Sequence, residues 1–325
     1  MLAYIIRRLL YAIPVLIGVN LITFMLFFVV NTPDSIARMQ LGAKRVTPAA
    51  IEAWKAERGY DRPYFYNAAE DGPNRFTNTI FFDKSVRVMA FDFGRSDDGR
   101  SISRDILDRM GPSLALAIPT LLVGLLVNIT FALLLVFFRA SYIDTAGVVL
   151  CVFLMSISSL FYIIGGQYLA GKLMHLVPIS GYSPGWDSIK FLILPVIIGV
   201  VGGIGAQTRW YRTLFLEEAG KDYVRTARAK GLSELRVLFR HVLKNGMIPI
   251  LTGVVVILPL LFLGSLIMES FFGIPGLGSY TIDAINKQDF AIVRAMVFLG
   301  SVLYIIGLLL TDISYTLVDP RIRLS

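Results

Sequence analysis

Six apolar stretches of bilayer-crossing length leave this chain few ways to fold. They cover residues 9–30, 113–138, 146–170, 191–207, 248–268 and 291–315. A helix needs about 20 apolar residues to cross a hydrocarbon core of about 30 Å. The expected fold is an all-α integral membrane protein with six transmembrane helices. Composition suits that solvent, with 55% hydrophobic and 17% charged residues and a mean hydropathy of +0.68. Soluble domains run near a quarter charged.

Charge sets the expected orientation. Arg7 and Arg8 precede the first run, and the short connectors on that same side carry the Lys/Arg excess through to Arg321 and Arg323. That pattern places both termini in the cytoplasm. The first run exceeds the roughly 7–15 residues of a signal-peptide core, and VVNTPDS after it lacks a small-residue cleavage site, so it reads as a retained helix. The organisation that follows is a helix over 1–30, an extracytoplasmic loop over 31–112 and a core of five further spans over 113–325. The loop is polar, with a turn at Asp71-Gly72-Pro73. Short helices are expected from Ile51–Trp54 after Pro48 and over Ser103–Met110, while residues 60–88 have no evident placement. It reads equally as a docking surface for a substrate-delivery protein and as a solvated lid. The net charge of +8 follows from cytoplasmic loops and is no nucleic-acid footprint. A single cysteine, Cys151, excludes a disulfide framework within the chain and reads as a buried small hydrophobe.

The connector between the fourth and fifth runs, about 209–247, is the most basic part of the sequence. Over 217–249 it carries Arg225, Arg228, Lys230, Arg236, Arg240 and Lys244. Asp222 can cap a short helix through Tyr223, Val224 and Arg225 to Lys230, with small residues at Thr226, Ala227 and Ala229. Gly231 suits a left-handed turn closing it. After Leu232, Ser233 can cap a second helix in which Leu235, Leu238, Phe239 and Val242 fall on one face.

YVRTARAKGLS followed by FRHVLKNGMIP resembles the cytoplasmic EAA loop of ABC importer permeases, in its dipeptide/oligopeptide-family version. Against the general pattern, Arg225 stands where Glu is expected, Thr226 and Ala227 stand at the two alanines, and Leu243-Lys244 replaces a Leu-Pro pair. The peptide-family version uses a string like RTARAKG. The first helix (MLAYIIRRLLYAIPVLIGVNLITF), FDFGRS and FFGIPGLG also resemble that family. The resemblance implies a type I ABC importer transmembrane domain with a large extracytoplasmic loop after helix 1, in the bacterial or archaeal plasma membrane. It implies a second homologous permease, two ATPase subunits (or a homodimer) that bind ATP and Mg²⁺, and a periplasmic or surface-tethered substrate-binding protein. The solutes implied are di- or oligopeptides, nickel chelates, glutathione or peptide-like antibiotics. The segment Asp222–Ser233 would dock in a cleft of the ATPase, its small residues permitting close approach and Arg225, Arg228 and Lys230 meeting acidic groups.

Catalysis and cofactor binding find no support in the chain itself. Gly166, Gly171 and Lys172 mimic a phosphate loop, but Leu173 replaces the Ser/Thr that would hold Mg²⁺. His175 and His241 fall on opposite sides of the expected membrane, so they share no metal. Asn128, Ser156, Ser159 and Gln167 are candidates for a polar path, though for any one of them interhelical hydrogen bonding is the favoured explanation. Two other classes remain at this stage. An ion- or proton-coupled carrier would show an internal repeat and a mid-membrane ionisable group. An anchor binding anionic lipid through its basic loop would need charge and an apolar face, but no Gly231 turn.

Overall fold

A computed structural model of the protein describes residues 2–42 and 47–318; Arg321 and Arg323 lie outside the described residues. No strand occurs among the described residues. The first apolar run forms α1 (Leu2–Phe24), continued as a π-helical stretch over Met25–Val30. α2 (Pro33–Leu41) and α3 (Pro48–Arg58) start alike. Thr32 and Thr47 accept from the Ser35 and Ala50 amides, and proline stands first in each helix, where its missing N–H is not needed. There follow α4 (Ile102–Phe137), α5 (Tyr142–Ser156) and α6 (Ser159–Gly166), the last prolonged by a π-helical Gln167–Leu173. α7 (Ser188–Ala219), α8 (Asp222–Ala229), α9 (Glu234–Val237) and α10 (Lys244–Ile257) come next. α11 (Leu266–Phe272), α12 (Leu277–Lys287) and α13 (Phe290–Val318) complete the described chain.

Five helical stretches among the described residues are long and apolar enough to cross a membrane: Ile6–Val30, Ile102–Phe137, Gly185–Ala219, Glu234–Leu263 and Phe290–Ser314. The run expected as a third straight span is broken. α5 and α6 meet at an angle of 87°, so the total is five, or six where the bent pair crosses as one. Ile157 and Ser158 leave the helical region for extended backbone, and the Tyr162 hydroxyl donates to the Leu154 carbonyl at 2.8 Å. That bond satisfies one of the carbonyls the break sets free.

Two other expected boundaries move. The short helix expected over 103–110 is the first part of α4, which runs 36 residues, about 54 Å, through Pro112 and Pro119. The fifth run ends early. Pro259 opens a 3₁₀ stretch over Leu258–Leu263, Gly264 turns the chain with φ of 69°, and Met268 belongs to α11.

The chain gathers into two compact units. The first comprises the residues up to Asp108 with Tyr280–Leu309. Its core includes Phe24, Phe28 and Ile80, packed by Tyr60, Tyr64 and Phe81. Phe24 meets Phe81 edge-on at 5.1 Å, and Phe28 meets Tyr60 at 5.3 Å. Asn20, a polar residue inside the first apolar run, donates to the Ser85 carbonyl at 2.7 Å. The stretch 60–88, unplaced by sequence, is thus folded onto α1 by aromatic packing. The second unit comprises Arg109–Ser279 with the chain from Leu310. There α5 and α7 approach so closely that a Cβ on Gly205 would lie 2.5 Å from the Cys151 carbonyl oxygen. Cys151 is fully buried in that contact.

Candidate coupling segment and transmembrane trough

Everything in the basic connector rests on an apolar base. Val224 and Ala227 of α8 are buried with Tyr211, Phe215 and Ala219 of α7, with Val237 of α9, and with Leu238 and Val242 beyond it. Gly246 lets α10 close on Phe215, since a Cβ there would come within 2.5 Å of the ring. α7, α8 and the start of the next span therefore share one core.

The outward side of α8 is polar and basic. Asp222, Tyr223, Arg225, Thr226, Ala229 and Lys230 are exposed, whereas Ala227 points inward, so its small size serves internal packing. The Arg225 side chain is 74% exposed. Arg228 is instead held within the chain. Its guanidinium donates to Glu234 at 2.7 and 3.4 Å and to the Ala219 carbonyl at 3.4 Å, pinning α8 to α9. Tyr223 donates its hydroxyl to Glu218, which Lys221 also contacts. Burial first, and the Glu218 hydrogen bond second, push the Tyr223 phenol up to about 12. It therefore remains a donor throughout the physiological range.

Two expectations about this segment's local structure change. Lys221, not Asp222, occupies the N-cap position of α8. Asp222 is the first helical residue, and its carboxylate reaches forward to Arg225 at 3.3 Å. Ser233 does sit at the start of α9 in extended conformation, but its hydroxyl makes no capping bond; its carbonyl accepts from Val237. Gly231 takes φ of 76°, with its amide on the Arg228 carbonyl and the Leu232 amide on that of Ala227. This is the left-handed turn its residue type suggests. The expected apolar face of the second helix splits. Leu238 and Val242 are buried, but Leu235 and Phe239 are more than half exposed and Val237 is buried instead. The cause is a π-helical stretch over Leu238–Leu243, whose wider turn breaks the 3.6-residue register.

A charged clamp lies behind this segment, and sequence reading missed it. Arg212 of α7 donates to both oxygens of Asp144 of α5, at 2.8 and 2.7 Å, and the Ala140 amide donates to the same carboxylate. The pair fixes the broken third span to the helix that leads into α8. Both residues lie just outside the apolar runs, so hydropathy carries no signal of the pair.

The four path candidates part company. Asn128 is buried, accepts from the Thr208 hydroxyl at 3.2 Å, and lines a trough of about 500 Å³ between α4, α7 and α10. Ser156 bonds the Val152 carbonyl of its own helix, and Ser159 is exposed at the start of α6; neither lines that trough. Gln167 donates to the carbonyls of Ile179 and Phe271, tying a loop to α11. The resembled phosphate loop around Gly166–Lys172 is helical, with no strand before it.

Glu269 was a further omission. Fully buried outside the spans, its carboxylate accepts from the Ser265 and Ser279 amides at 3.1 Å each. Gly264 and Gly276 leave it room, since a Cβ on either would fall within 2.3 Å of a carboxylate oxygen. Burial is the largest influence on its pKa and raises it. The Ser113 hydroxyl and the Ser279, Ser265 and Gly278 amides pull the other way.

Comparison with known proteins agrees with this architecture. Residues 113–324 match the family described as binding-protein-dependent transport system inner membrane component, and residues 1–117 match the N-terminal part of such membrane components. A Brucella abortus (strain 2308) protein with a peptide-transport permease name is 32% identical, covering 99% of both chains. The oligopeptide transport system permease protein AppB of Bacillus subtilis is 28% identical over 99% of this chain and 100% of its own. The dipeptide transport system permease protein DppB of Escherichia coli K12 is 28% identical over 99% of each. With its long apolar helices, its short basic helix on an apolar base and a family match over most of its length, this chain belongs to the inner membrane components of binding-protein-dependent transport systems.

Proposed function

We propose that the chain is a permease subunit of an ATP-driven importer of di- or oligopeptides or related solutes. It forms the pathway with a second, homologous permease, and two ATPase subunits drive the pair. The observation that carries this reading is the construction of α8: an exposed face with Arg225 and Lys230 on a base shared with α7. Such a segment can be pushed without being unfolded. ATP binding closes the ATPase pair and moves α8. The α7 core and the Asp144–Arg212 clamp carry that movement to α5. The bend at Ile157-Ser158 lets α5 move without α6. A binding protein delivers solute from outside, and hydrolysis resets the cycle. The names of the full-length relatives support a peptide substrate. The chain itself needs no cofactor, since ATP and Mg²⁺ belong to the partners.

The test is purification of the chain from its native membrane in mild detergent, with Thr226→Cys carrying a photocrosslinker. A P-loop ATPase crosslinked at that position and a second multi-span permease in the same preparation are the expected outcome. A purified chain that crosslinks to no ATPase overturns the coupling role of α8.

A further inference from the structure

Three cavities of the second unit adjoin one another along α7. One, of about 370 Å³, reaches from Gly264 and Ser265 to Gly199. It shares Thr120, Leu121, Gly199 and Ile257 with the 500 Å³ trough. The trough in turn shares Ala206 and Trp210 with a third cavity of about 370 Å³ that ends at Thr213. The first two are lined by uncharged residues throughout. Gly124, Gly199, Gly203 and Gly253 thin their walls, and Asn128 and Gln207 supply the amides. Charge enters only in the third, with Arg209 and Arg212.

The two arginines differ in what they hold. Arg212 is committed to Asp144. Arg209 is exposed, and among the described residues its guanidinium hydrogen-bonds only from Nη1 to the Met155 sulfur, at 3.5 Å. A thioether is a weak acceptor for a guanidinium with five donors. No described carboxylate forms an ion pair with it. Arg209 stands at the connector end of α7, just past the apolar run, where a long side chain can line a cavity with its charged head in water. The planar fork of arginine matches a carboxylate in two parallel hydrogen bonds.

We propose that Arg209 is a specificity-determining residue, which receives the free carboxylate of the travelling solute in the third cavity, next to the Ala206 and Trp210 edge of the trough. This rests on the permease reading above. The uncharged stretch tolerates varied side chains, while Arg209 reads the one group that peptides with a free C-terminus share. A phospholipid phosphate is the other anion that could meet it.

The experiment uses cells whose own copy of the gene is deleted and replaced by variants, with the chain quantified in their membranes. For a labelled peptide with a free C-terminus, Arg209→Lys keeps most uptake, Arg209→Gln lowers it about tenfold and Arg209→Glu lowers it further. In a second arm, Arg209→Cys is placed in a Cys151→Ser background. On inside-out vesicles a membrane-impermeant methanethiosulfonate labels it, and excess peptide slows the labelling. Labelling only by a lipid-soluble maleimide, indifferent to peptide, places Arg209 against lipid and overturns the proposal. So does equal loss of uptake in the Lys and Gln variants. Failure of the parent reading looks different: the wild-type chain then restores no peptide uptake at all.

Discussion

At the scale of single residues, two buried acids have opposite environments. Asp144 faces a guanidinium with two matched donors. Removing one partner strands the other, and breaking such a pair costs about 3 kcal/mol or more. Asp144→Asn and Arg212→Gln should each lower the thermal unfolding midpoint of the detergent-solubilised chain. The double variant Asp144→Leu/Arg212→Met should recover part of that loss. Additive losses would show that the pair does not act as a unit. Glu269 faces backbone amides and one hydroxyl, with no cation among those partners. Its pKa in the folded chain is raised above the ordinary 4.5, so the folded state holds the proton to higher pH than the unfolded chain does. Its contribution to stability is therefore complete below pH 4.5 and lost as pH rises through the folded value. Glu269→Gln should flatten that part of a stability–pH profile measured by thermal unfolding. An unchanged slope would mean that the carboxyl does not titrate there.

Among elements, the turn after α8 tests the coupling segment. No atom lies within 4 Å of a Cβ built on Gly231, so only its φ of 76° resists substitution. A non-glycine residue in that region costs about 1–2 kcal/mol, with Asn tolerated best. Gly231→Asn should preserve transport. Gly231→Val should weaken it and Gly231→Pro should abolish it, with the chain still in the membrane. Uptake assays against membrane levels check this, and transport surviving Gly231→Pro would remove the turn from the mechanism. The α5–α7 contact offers a sharper steric case. Alanine at Gly205 would put its Cβ 2.4 Å from Met155 Cγ and 2.5 Å from the Cys151 carbonyl oxygen. Because that second neighbour is backbone, Gly205→Ala should cost about 1–3 kcal/mol, seen as a lowered unfolding midpoint.

For the whole molecule, the bent third span decides topology. Were α5 and α6 to return to the side they came from, the basic connector after α7 would end up opposite to Arg7 and Arg8. The positive-inside pattern forbids that arrangement. Six crossings are therefore expected, with the bent pair counted as one. Cysteines introduced at Ser183 and at Lys230 should be labelled from opposite faces of the membrane, Lys230→Cys from the cytoplasmic face. Labelling of Ser183→Cys from the cytoplasmic face and of Lys230→Cys from the outer face would make the pair re-entrant and the total five.

What sequence determined by itself was whatever depends on local chemistry repeated along the chain. Apolar length announced the spans, basic residues marked the connector, and Gly231 specified a left-handed turn, because each follows from a residue's own solvation or backbone freedom. The break at Ile157-Ser158 and the π-helical stretch after α9 were hidden, since no proline or glycine marks either. Only tertiary structure chose the partners. It set Asp144 on Arg212, Glu269 on backbone amides, Arg228 on Glu234 rather than outward, and Ala227 into the core. It drew Asn128 into the trough and left Ser156, Ser159 and Gln167 elsewhere. Such pairings join residues far apart in the chain or turn on which face of a helix is covered. Apolar runs look alike all round, so their spacing cannot say which face that is.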